Sequence, residues 1–412
     1  MKEHEEIVGD GLLLRSVRGE ADMARFIALN AAVTDEGAIA DRLLRHHPST
    51  SHADYLLVEN ERTGEAVSTT CLIPWQCHFD GIVLQTAMLE MVVTHPNYRQ
   101  RGLVRNQINR FHQMVDERGY DLSIIQGIPY YYRQYGYAYG LDHTPLALLP
   151  AWRVPDRTDA EPFAMRPATL ADVESLTELH DSSLVEHQLY VQRDPAYWRY
   201  LLQHKGYPVR VVENTRTGRA VGYLCLSAQG QHLRIHENGL ADDAAGWAVL
   251  RQLKAETSGE IQVVGSSVNR LMRLVRSLGS QSPAGDQWLL RLPNTVDFLR
   301  KIAPVLERRL IQAGWADLTT DLYINFFRHA IVLRFEEGSL QEVHSVGFVD
   351  ASMGADGGDL CIPPDAFLRL LFGYRTLDEL QDAWPDIRQK PSSRPLLDVL
   401  FPRLIGHILM PY

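Results

Sequence analysis

Residues 88–108 read MLEMVVTHPNYRQRGLVRNQI. The stretch combines an apolar strand, which Pro96 ends, with an arginine-rich turn and the start of a helix. A helix N-terminus presents unpaired N–H groups and the positive end of its dipole, and Gly102 lets the backbone approach a ligand closely there. Arg99 and Arg101 add positive charge beside it. Arg-x-x-Gly alone also fits a solvated surface turn, but the complete strand, turn and helix pattern favours a pyrophosphate site.

A second informative segment follows an apolar strand predicted over residues 121–128, where residues 127–140 read GIPYYYRQYGYAYG. From the residues alone, so many tyrosines at helical spacing also fit an aromatic core. Together with the turn at Gly102, the segment resembles the acetyl-CoA site of the GNAT superfamily of N-acetyltransferases. More narrowly, Arg-Gln-Arg-Gly-Leu followed by Tyr-x-x-Tyr-Gly-Tyr is similar to the Eis-like (enhanced intracellular survival) acetyltransferases. Val104 departs from that family, whose turn usually has Gly or Ala there.

The resemblance implies an α+β protein with two tandem GNAT acyl-CoA N-acyltransferase folds followed by a sterol-carrier-like domain. The chain has 412 residues, enough for about two to four domains. We expect a catalytic first unit over residues 1–155 and a second, degenerate unit over residues 156–293. Residues 294–412 then form the sterol-carrier-like domain and a C-terminal tail.

An internal repeat supports the two tandem units. Residues 58–72 read VENERTGEAVSTTCL, and residues 212–226 read VENTRTGRAVGYLCL. Each segment predicts a hairpin with its turn in Asn-x-Arg-Thr-Gly. The flanking sequences also correspond, because Arg15 and Asp22 precede the first copy as Arg166 and Asp172 precede the second. We interpret the pattern as a duplicated domain.

The second copy differs from the first at the phosphate turn. Alignment of Gly246 with Gly102 puts Asp243 where Arg99 stands. A carboxylate repels a pyrophosphate, so we expect the second unit not to bind CoA and to serve in packing. The Eis-like family has the same arrangement, in which only the N-terminal unit is active.

The last part of the chain has a pattern of its own. Residues 294–302 predict an amphipathic helix capped by Asn294 or Thr295, and two short helices are expected within residues 363–384. Strands are predicted at Leu322–Phe327 and Ala330–Phe335. The loop Gly354–Gly358 lacks the Lys-Ser/Thr of a phosphate loop and is interpreted as a turn.

Composition restricts the class of protein. The net charge of −10 argues against sequence-independent binding of nucleic acid and is compatible with a cationic substrate. Residues 1–6 do not resemble a signal peptide, and no apolar run reaches the roughly 18–20 residues of a membrane span. The scattered cysteines indicate neither a disulfide framework nor a metal site. We expect a soluble cytoplasmic protein, without a metal, that forms a homo-oligomer.

The resemblance also implies roles for individual residues. In GNAT folds the strand that precedes the turn splays from its neighbour, and its backbone pairs with the pantetheine arm of acetyl-CoA. Tyr132 occupies the position of the family's general acid, which protonates the departing thiolate. The expected cofactor-binding residues are Val92, Val93, Thr94, Arg99, Gln100, Arg101, Gly102, Leu103 and Val104.

Two carboxylates are candidates for the general base. Glu90 lies two residues before Val92, so a regular strand puts both on one face, and burial of the carboxyl raises its pKa. Its alternative role is that of a buried ion-pair partner. The family implies a second candidate, the C-terminal carboxylate, here that of Tyr412. Glu90 is also expected to help hold the substrate ammonium. Asp35 and Glu36 are expected to line the amine pocket, or else to belong to a solvated loop.

The sequence thus predicts transfer of an acetyl group from acetyl-CoA to a small-molecule or peptide primary amine. The alternative is a non-enzymatic carrier or scaffold that binds an apolar ligand in the C-terminal domain. A tail far from Tyr132 and an apolar tunnel in the last domain would favour the carrier. The acceptor stays open among aminoglycosides, polyamines, lysine side chains and peptide amines.

Overall fold

The computed structural model describes residues 5–143, 145–156, 161–351 and 357–412. Within these ranges the chain forms three β-sheets, each covered by helices, so the predicted α+β class is confirmed. Residues 354–356 of the expected Gly354–Gly358 turn lie outside the described residues. Among the residues described, no helix has the length and apolar character needed to cross a bilayer.

The first part of the chain supplies most of the largest sheet. Its elements are β1 (Glu5–Gly9), β2 (Leu12–Ser16), α1 (Glu20–Thr34), α2 (Gly37–His46), β3 (Tyr55–Asn60), β4 (Glu65–Phe79), β5 (Ile82–Thr94), α3 (Leu103–Glu117), β6 (Leu122–Ile125), β7 (Ala138–Asp142) and β8 (Leu146–Pro150). A 3₁₀ helix over Tyr131–Tyr135 precedes β7.

The middle part repeats this pattern and supplies most of the second sheet. Its elements are β9 (Phe163–Pro167), α4 (Val173–Leu184), β10 (Leu189–Val191), α5 (Pro195–Tyr200), β11 (Val209–Asn214), β12 (Arg219–Gln229), β13 (His232–Leu240), α6 (Asp243–Glu256), β14 (Glu260–Val264), α7 (Arg270–Ser277) and β15 (Gln287–Arg291).

The last part builds the third sheet and its helices. Its elements are α8 (Thr295–Lys301), α9 (Ala303–Gln312), β16 (Thr320–Asn325), β17 (Ala330–Glu336), β18 (Ser339–Val346), β19 (Leu360–Cys361), α10 (Pro364–Leu371), α11 (Leu377–Ala383), β20 (Arg388–Gln389), α12 (Arg394–Leu400) and β21 (Gly406–His407). Asn294 caps α8, because its side-chain oxygen accepts from the N–H groups of Val296 and Asp297.

The first two sheets exchange strands. The first has the order β1-β2-β3-β4-β5-β6-β15-β7, and the second has the order β8-β14-β13-β12-β11-β9. Residues 146–150 therefore lie in the second sheet, and residues 287–291 lie in the first. Each of these strands thus joins the sheet of the other expected unit. The expected domain limits at residues 155 and 293 stay predictions. The exchange ties the two units together through buried strand pairing.

The two predicted hairpins adopt the same geometry. In each, an asparagine side-chain oxygen accepts from the backbone N–H two residues later at 3.0 Å: the Arg62 N–H donates to Asn60, and the Arg216 N–H donates to Asn214. The turn glycines, Gly64 and Gly218, have left-handed φ values of 70° and 68°. Matching local geometry at two distant places in the chain supports the duplication.

The flanking residues of the repeat also correspond in space. Arg15 forms an ion pair with Asp22 and donates from Nε to Glu59 at 3.1 Å. Arg166 donates to Asp172 at 2.8 Å and from Nε to Glu213 at 3.0 Å. Each unit therefore joins three parts through one arginine: the strand before its first helix, the start of that helix, and the hairpin.

Candidate functional site

A gap between two strands opens the site. β5 pairs with β6 in parallel only from Thr86 to Met88, opposite residues 122–124. β5 then continues to Thr94, whereas β6 ends at Ile125. Among the described strands, residues 89–94 have no partner on the β6 side, so their backbone groups are available to a ligand. This unpaired edge lies on the strand that the family resemblance expects to splay from its neighbour.

A β-bulge in β5 directs the side chains around the gap. Glu90 pairs with Cys71 and Val93 with Thr69, so β5 has one residue more than β4 over this interval. Met91 takes up the extra length with a left-handed φ of 54°.

The bulge separates two side chains that regular alternation would keep together. Met91 and Tyr412 pack in one hydrophobic cluster, and Glu90 lies against Tyr412. Val92 packs against a different cluster, on the other side of the sheet. The prediction that Glu90 and Val92 share one face is therefore wrong, because it assumed an unbroken strand.

The turn after β5 forms an open helix start. Gln100 and Gly102 have left-handed φ values of 63° and 79°. Gly102 is the N-cap of α3 and offers no capping side chain, and the bond from the Asn106 N–H to the Gly102 carbonyl, 3.1 Å long, closes the first helical turn. The N–H groups of residues 103–105, at the start of α3, therefore have no partner within the helix and favour an anion.

A cavity of about 570 Å³ connects the turn, the free edge of β5 and the tyrosine segment. Eight of the nine predicted cofactor residues line it, all except Arg101. The lining residues are Val33, Thr34, Val92, Val93, Thr94, Tyr98, Arg99, Gln100, Gly102, Leu103, Val104, Arg105, Ile128, Tyr131, Tyr132, Gln134 and Tyr135.

The arginines that line the cavity differ from those that the sequence predicted. Arg101 donates to the Asn97 carbonyl at 3.2 Å, and its guanidinium lies 4.8 Å from the ring centre of Tyr98. Arg105 lines the cavity instead and lies over the Tyr135 ring at 5.8 Å. The sequence signal for Arg105 was its place in the first turn of α3, where a cation can reach an anion held at the helix start.

Tyr132 lines the cavity and is 6% exposed. Gly136, with φ of 84°, ends its 3₁₀ helix. A Cβ atom at Gly127 would lie 2.1 Å from the Tyr132 ring, so this position requires glycine. Burial raises the pKa of Tyr132 well above its ordinary value, and the negative charge of Glu90 adds to the rise. The phenol therefore stays protonated at neutral pH and is able to donate.

Glu90 and Tyr412 form a pair beside Tyr132. Burial raises the pKa of Glu90 to about 8, although the hydrogen bond from the Tyr412 phenol lowers it. The main-chain oxygen of Tyr412 accepts from Arg42 at 3.1 Å. The structure thus brings the phenol of Tyr412, rather than its main-chain oxygen, to Glu90.

The two acidic residues after α1 differ in their position. Glu36 is half-buried, and its charge raises the pKa values of both Glu90 and Tyr412. Asp35 is exposed and ends α1 with a left-handed φ of 61°. Neither is among the residues that line the cavity, whereas the neighbouring Thr34 is.

The corresponding helix start in the second unit is closed. Asp242 is the N-cap of α6, and its side chain accepts from the Ala245 N–H at 2.8 Å. Gly246 lies inside α6, where a Cβ atom would come within 2.5 Å of Leu274. The predicted equivalence of Gly246 and Gly102 is therefore wrong, because Gly246 serves close helix packing and Asp242 occupies the cap position.

The strand edge of the second unit is also covered. β13 pairs with β14 in parallel only over residues 233–235, which leaves the rest of β13 free on that side. There Arg270 donates to the Leu240 carbonyl at 3.3 Å, and Asn269 donates to Asn238 at 3.1 Å. The start of α7 thus fills the place that is an open cavity in the first unit.

Glu90 is expected to make stability depend on pH. Its carboxyl ionises near 4.5 in the unfolded chain and near 8 in the folded one, so Glu90 stabilises the fold at low pH and loses this effect as pH rises. Glu90→Gln keeps the neutral shape. We expect it to stabilise the protein relative to wild type by roughly 2–4 kcal/mol at pH 8 and little at pH 5. Thermal unfolding of both proteins measures the difference, and equal effects at the two pH values would contradict the raised pKa.

Comparisons with known proteins agree with this geometry. Residues 14–140 match the family model of the acetyltransferase (GNAT) domain. No curated protein matches the chain by sequence.

Solved structures resemble the chain over nearly its whole length. A probable N-acyltransferase of unknown function from Enterococcus faecalis has a TM-score of 0.73 and 15% identity, covering 98% of this chain and 100% of its own. A GCN5-related N-acetyltransferase from Anabaena variabilis has a TM-score of 0.70 and 14% identity, covering 96% and 99%. Eis1 from Mycobacterium abscessus has a TM-score of 0.63 and 16% identity, covering 96% and 98%. At these identities the likeness concerns the fold.

Proposed function

We propose, on the premise that residues 14–140 form a GNAT domain, that the protein transfers the acetyl group of acetyl-CoA to a primary amine. The observation that carries the proposal is the cavity that joins an uncapped helix start, a free strand edge and a protonated tyrosine. The Eis-like arrangement and the sterol-carrier-like nature of the last domain are parts of the same proposal.

The residues of the cavity fit a CoA ester. The outward N–H groups of α3, with Arg99 and Arg105, are suited to a pyrophosphate. The free edge of β5, over residues 89–94, offers backbone partners to the amides of a pantetheine arm. Acetyl-CoA supplies the thioester that is cleaved.

Two side chains are suited to move the protons. Glu90, with a pKa raised to about 8, takes a proton from the substrate ammonium and leaves a nucleophilic amine. When the carbon–sulfur bond breaks, Tyr132 gives its phenolic proton to the thiolate, and the resulting phenolate takes up the proton that the acylated nitrogen loses as the amide forms. The net reaction converts an amine and a thioester into an amide and a thiol.

The position of the tail supports the enzyme over the non-enzymatic carrier. A non-enzymatic carrier would need no contact between the tail and the first unit. In the structure the phenol of Tyr412 contacts Glu90, and Arg42 donates to the main-chain oxygen of Tyr412. The direct test measures thiol release from acetyl-CoA with a panel of aminoglycosides, polyamines, lysine peptides and peptide N-termini. Tight CoA binding without thiol release for any amine would contradict the proposed function.

Arg99→Glu is expected to weaken CoA binding by about 10²-fold, because an attractive contact at a helix start becomes a repulsion. Arg99 lines the cavity, and its Nε contacts only the Thr94 carbonyl, at 3.4 Å, among the described hydrogen bonds. Arg101→Glu is the matched control, since the same charge change lies outside the cavity lining. Calorimetry with CoA compares the two, and equal losses would mean that only general electrostatics is involved.

Saturation binding is expected to give one CoA per chain. The second unit has Asp242 on its helix start and the beginning of α7 against β13. Equilibrium dialysis with labelled CoA measures the ratio, and Arg99→Glu should remove the single site. A ratio of two would mean that the second unit also binds the cofactor.

A further inference from the structure

We infer that the second unit is a positioning module, in which Arg193 and Tyr197 hold residues 405–412, the tail segment, so that Tyr412 stays on Glu90. The inference rests on the proposed function and gives a task to a unit whose own cofactor site is closed. In this arrangement the second unit holds the tail, and the first unit performs the proton transfer.

Side chains donate to four carbonyl groups of the tail segment, and a fifth side chain, that of Gln188, accepts from the Ile405 N–H at 2.9 Å. After β21, which pairs with β10, the described tail joins no further strand. Its carbonyl groups, which are buried or half-buried, therefore need other donors. The donors are Trp288 Nε1 to Ile408 at 3.1 Å, Arg193 Nη2 to Leu409 at 3.3 Å, Tyr197 Oη to Pro411 at 2.9 Å and Arg42 Nη2 to Tyr412 at 3.1 Å.

Arg193 is itself held rigidly. Its side chain is 1% exposed, and Nη1 lies 2.8 and 3.0 Å from the two oxygens of Glu237. Glu237 also accepts from Tyr207 at 2.6 Å and from Tyr223 at 2.8 Å. A buried ion pair contributes little net stability. The network is better explained by the Leu409 carbonyl, the one main-chain group outside it that Arg193 binds among the described hydrogen bonds.

Tyr197 extends the same hold towards the end of the tail. It lies on α5, where Asp194 accepts the Tyr197 N–H at 2.7 Å. Its hydroxyl lies between the Pro411 carbonyl, at 2.9 Å, and His47 Nε2 of the first unit, at 3.3 Å. The residue after Pro411 is Tyr412, so this hydroxyl fixes the chain directly before the residue that contacts Glu90.

Several groups influence the protonation of Glu90, and the tail supplies only one of them. Burial and the charge of Glu36 raise its pKa, whereas the Tyr412 phenol and the Met91 N–H lower it. Tyr132 and Cys71 also lie within range of the Glu90 charge. Loss of the Tyr412 contact should therefore raise the pKa of Glu90 and move the acidic limb of the kcat profile to higher pH, because a base acts in its deprotonated form.

The test uses Tyr197→Phe, which removes one hydroxyl and keeps the ring. We expect kcat to fall roughly five- to tenfold at pH 8 and its acidic limb to move to higher pH, with CoA affinity unchanged. Tyr412→Phe should move the limb in the same direction, and the double variant should move it no further. Tyr190→Phe, on β10 with its ring stacked on His78, is the control and should match wild type.

A second readout needs no substrate. The stability difference between each protein and its Glu90→Gln counterpart, followed against pH, reports the pKa of Glu90 directly. A shift in Tyr197→Phe without any amine turnover would support the positioning module and contradict the proposed function. The inference would be overturned if the acidic limb of the kcat profile did not shift in Tyr197→Phe, or if the shifts of the two single variants added in the double variant. A faster Tyr197→Phe enzyme would also overturn it, because the tail would then obstruct the site.

Discussion

Tyr132→Phe is expected to lower kcat by roughly 10²–10⁴-fold, the usual effect of losing a positioned acid, and to leave CoA binding near that of wild type. Tyr132 is buried in the lining of the cavity and its phenol stays protonated, while the ring needs the space that Gly127 leaves. Phenylalanine keeps the ring and its packing. Pre-steady-state acetyl transfer with a competent amine measures the chemical step.

Tyr135→Phe is the matched control, because Tyr135 lines the same cavity on the same 3₁₀ helix. It should change kcat little. The alternative for Tyr132 is an aromatic core residue, which predicts reduced stability with kcat preserved. A fully active Tyr132→Phe enzyme with a lower melting temperature would assign Tyr132 to the core.

Glu90→Gln is expected to lower kcat by a similar factor, roughly 10²–10⁴-fold, because the amide cannot accept the ammonium proton. The pH profile should also lose its limb near 8, where the Glu90 carboxyl ionises. If Glu90 instead only binds the ammonium charge, the loss should appear mainly in KM. Steady-state kinetics against pH separates the two roles.

The rival base, the terminal carboxylate of Tyr412, requires a different variant. A few residues added after Tyr412 move that carboxylate without changing Glu90. We expect the extended protein to lose less kcat than Glu90→Gln, because Arg42 already binds the Tyr412 main-chain oxygen and the phenol contacts Glu90. The reverse order, a silent Glu90→Gln and an inactive extension, would make the terminal carboxylate the base.

The features that the sequence predicted correctly depend on short-range interactions. Pro96 and Gly102 bracket the turn after β5 because their φ preferences act within a few residues. The Asn-x-Arg-Thr-Gly hairpins formed twice because the asparagine side chain bonds two residues ahead. Most of the cavity lining followed from the strand, turn and helix order, and the fold class followed from the same pattern.

The features that only the tertiary structure decided depend on partners distant in the chain. The bulge at Met91 arises from the pairing of β5 with β4, and it turns Glu90 away from Val92. Arg101 and Arg105 have the same charge, and only the packing of Tyr98 and Tyr135 selects which one lines the cavity.

The exchange of β8 and β15 between the sheets and the docking of the tail were also decided only by the tertiary structure. β8 and β15 are both short apolar segments, and sequence alone cannot choose between two compatible sheet edges, since the choice depends on competition between them in the folded chain. The carbonyl groups of the tail are identical in every sequence, so their donors, Arg193 and Tyr197, carry no local signal. The sequence therefore determined the strand, turn and helix that form the candidate cavity. The tertiary structure determined which residues surround Glu90 and Tyr132, because those contacts join parts of the chain that no local pattern connects.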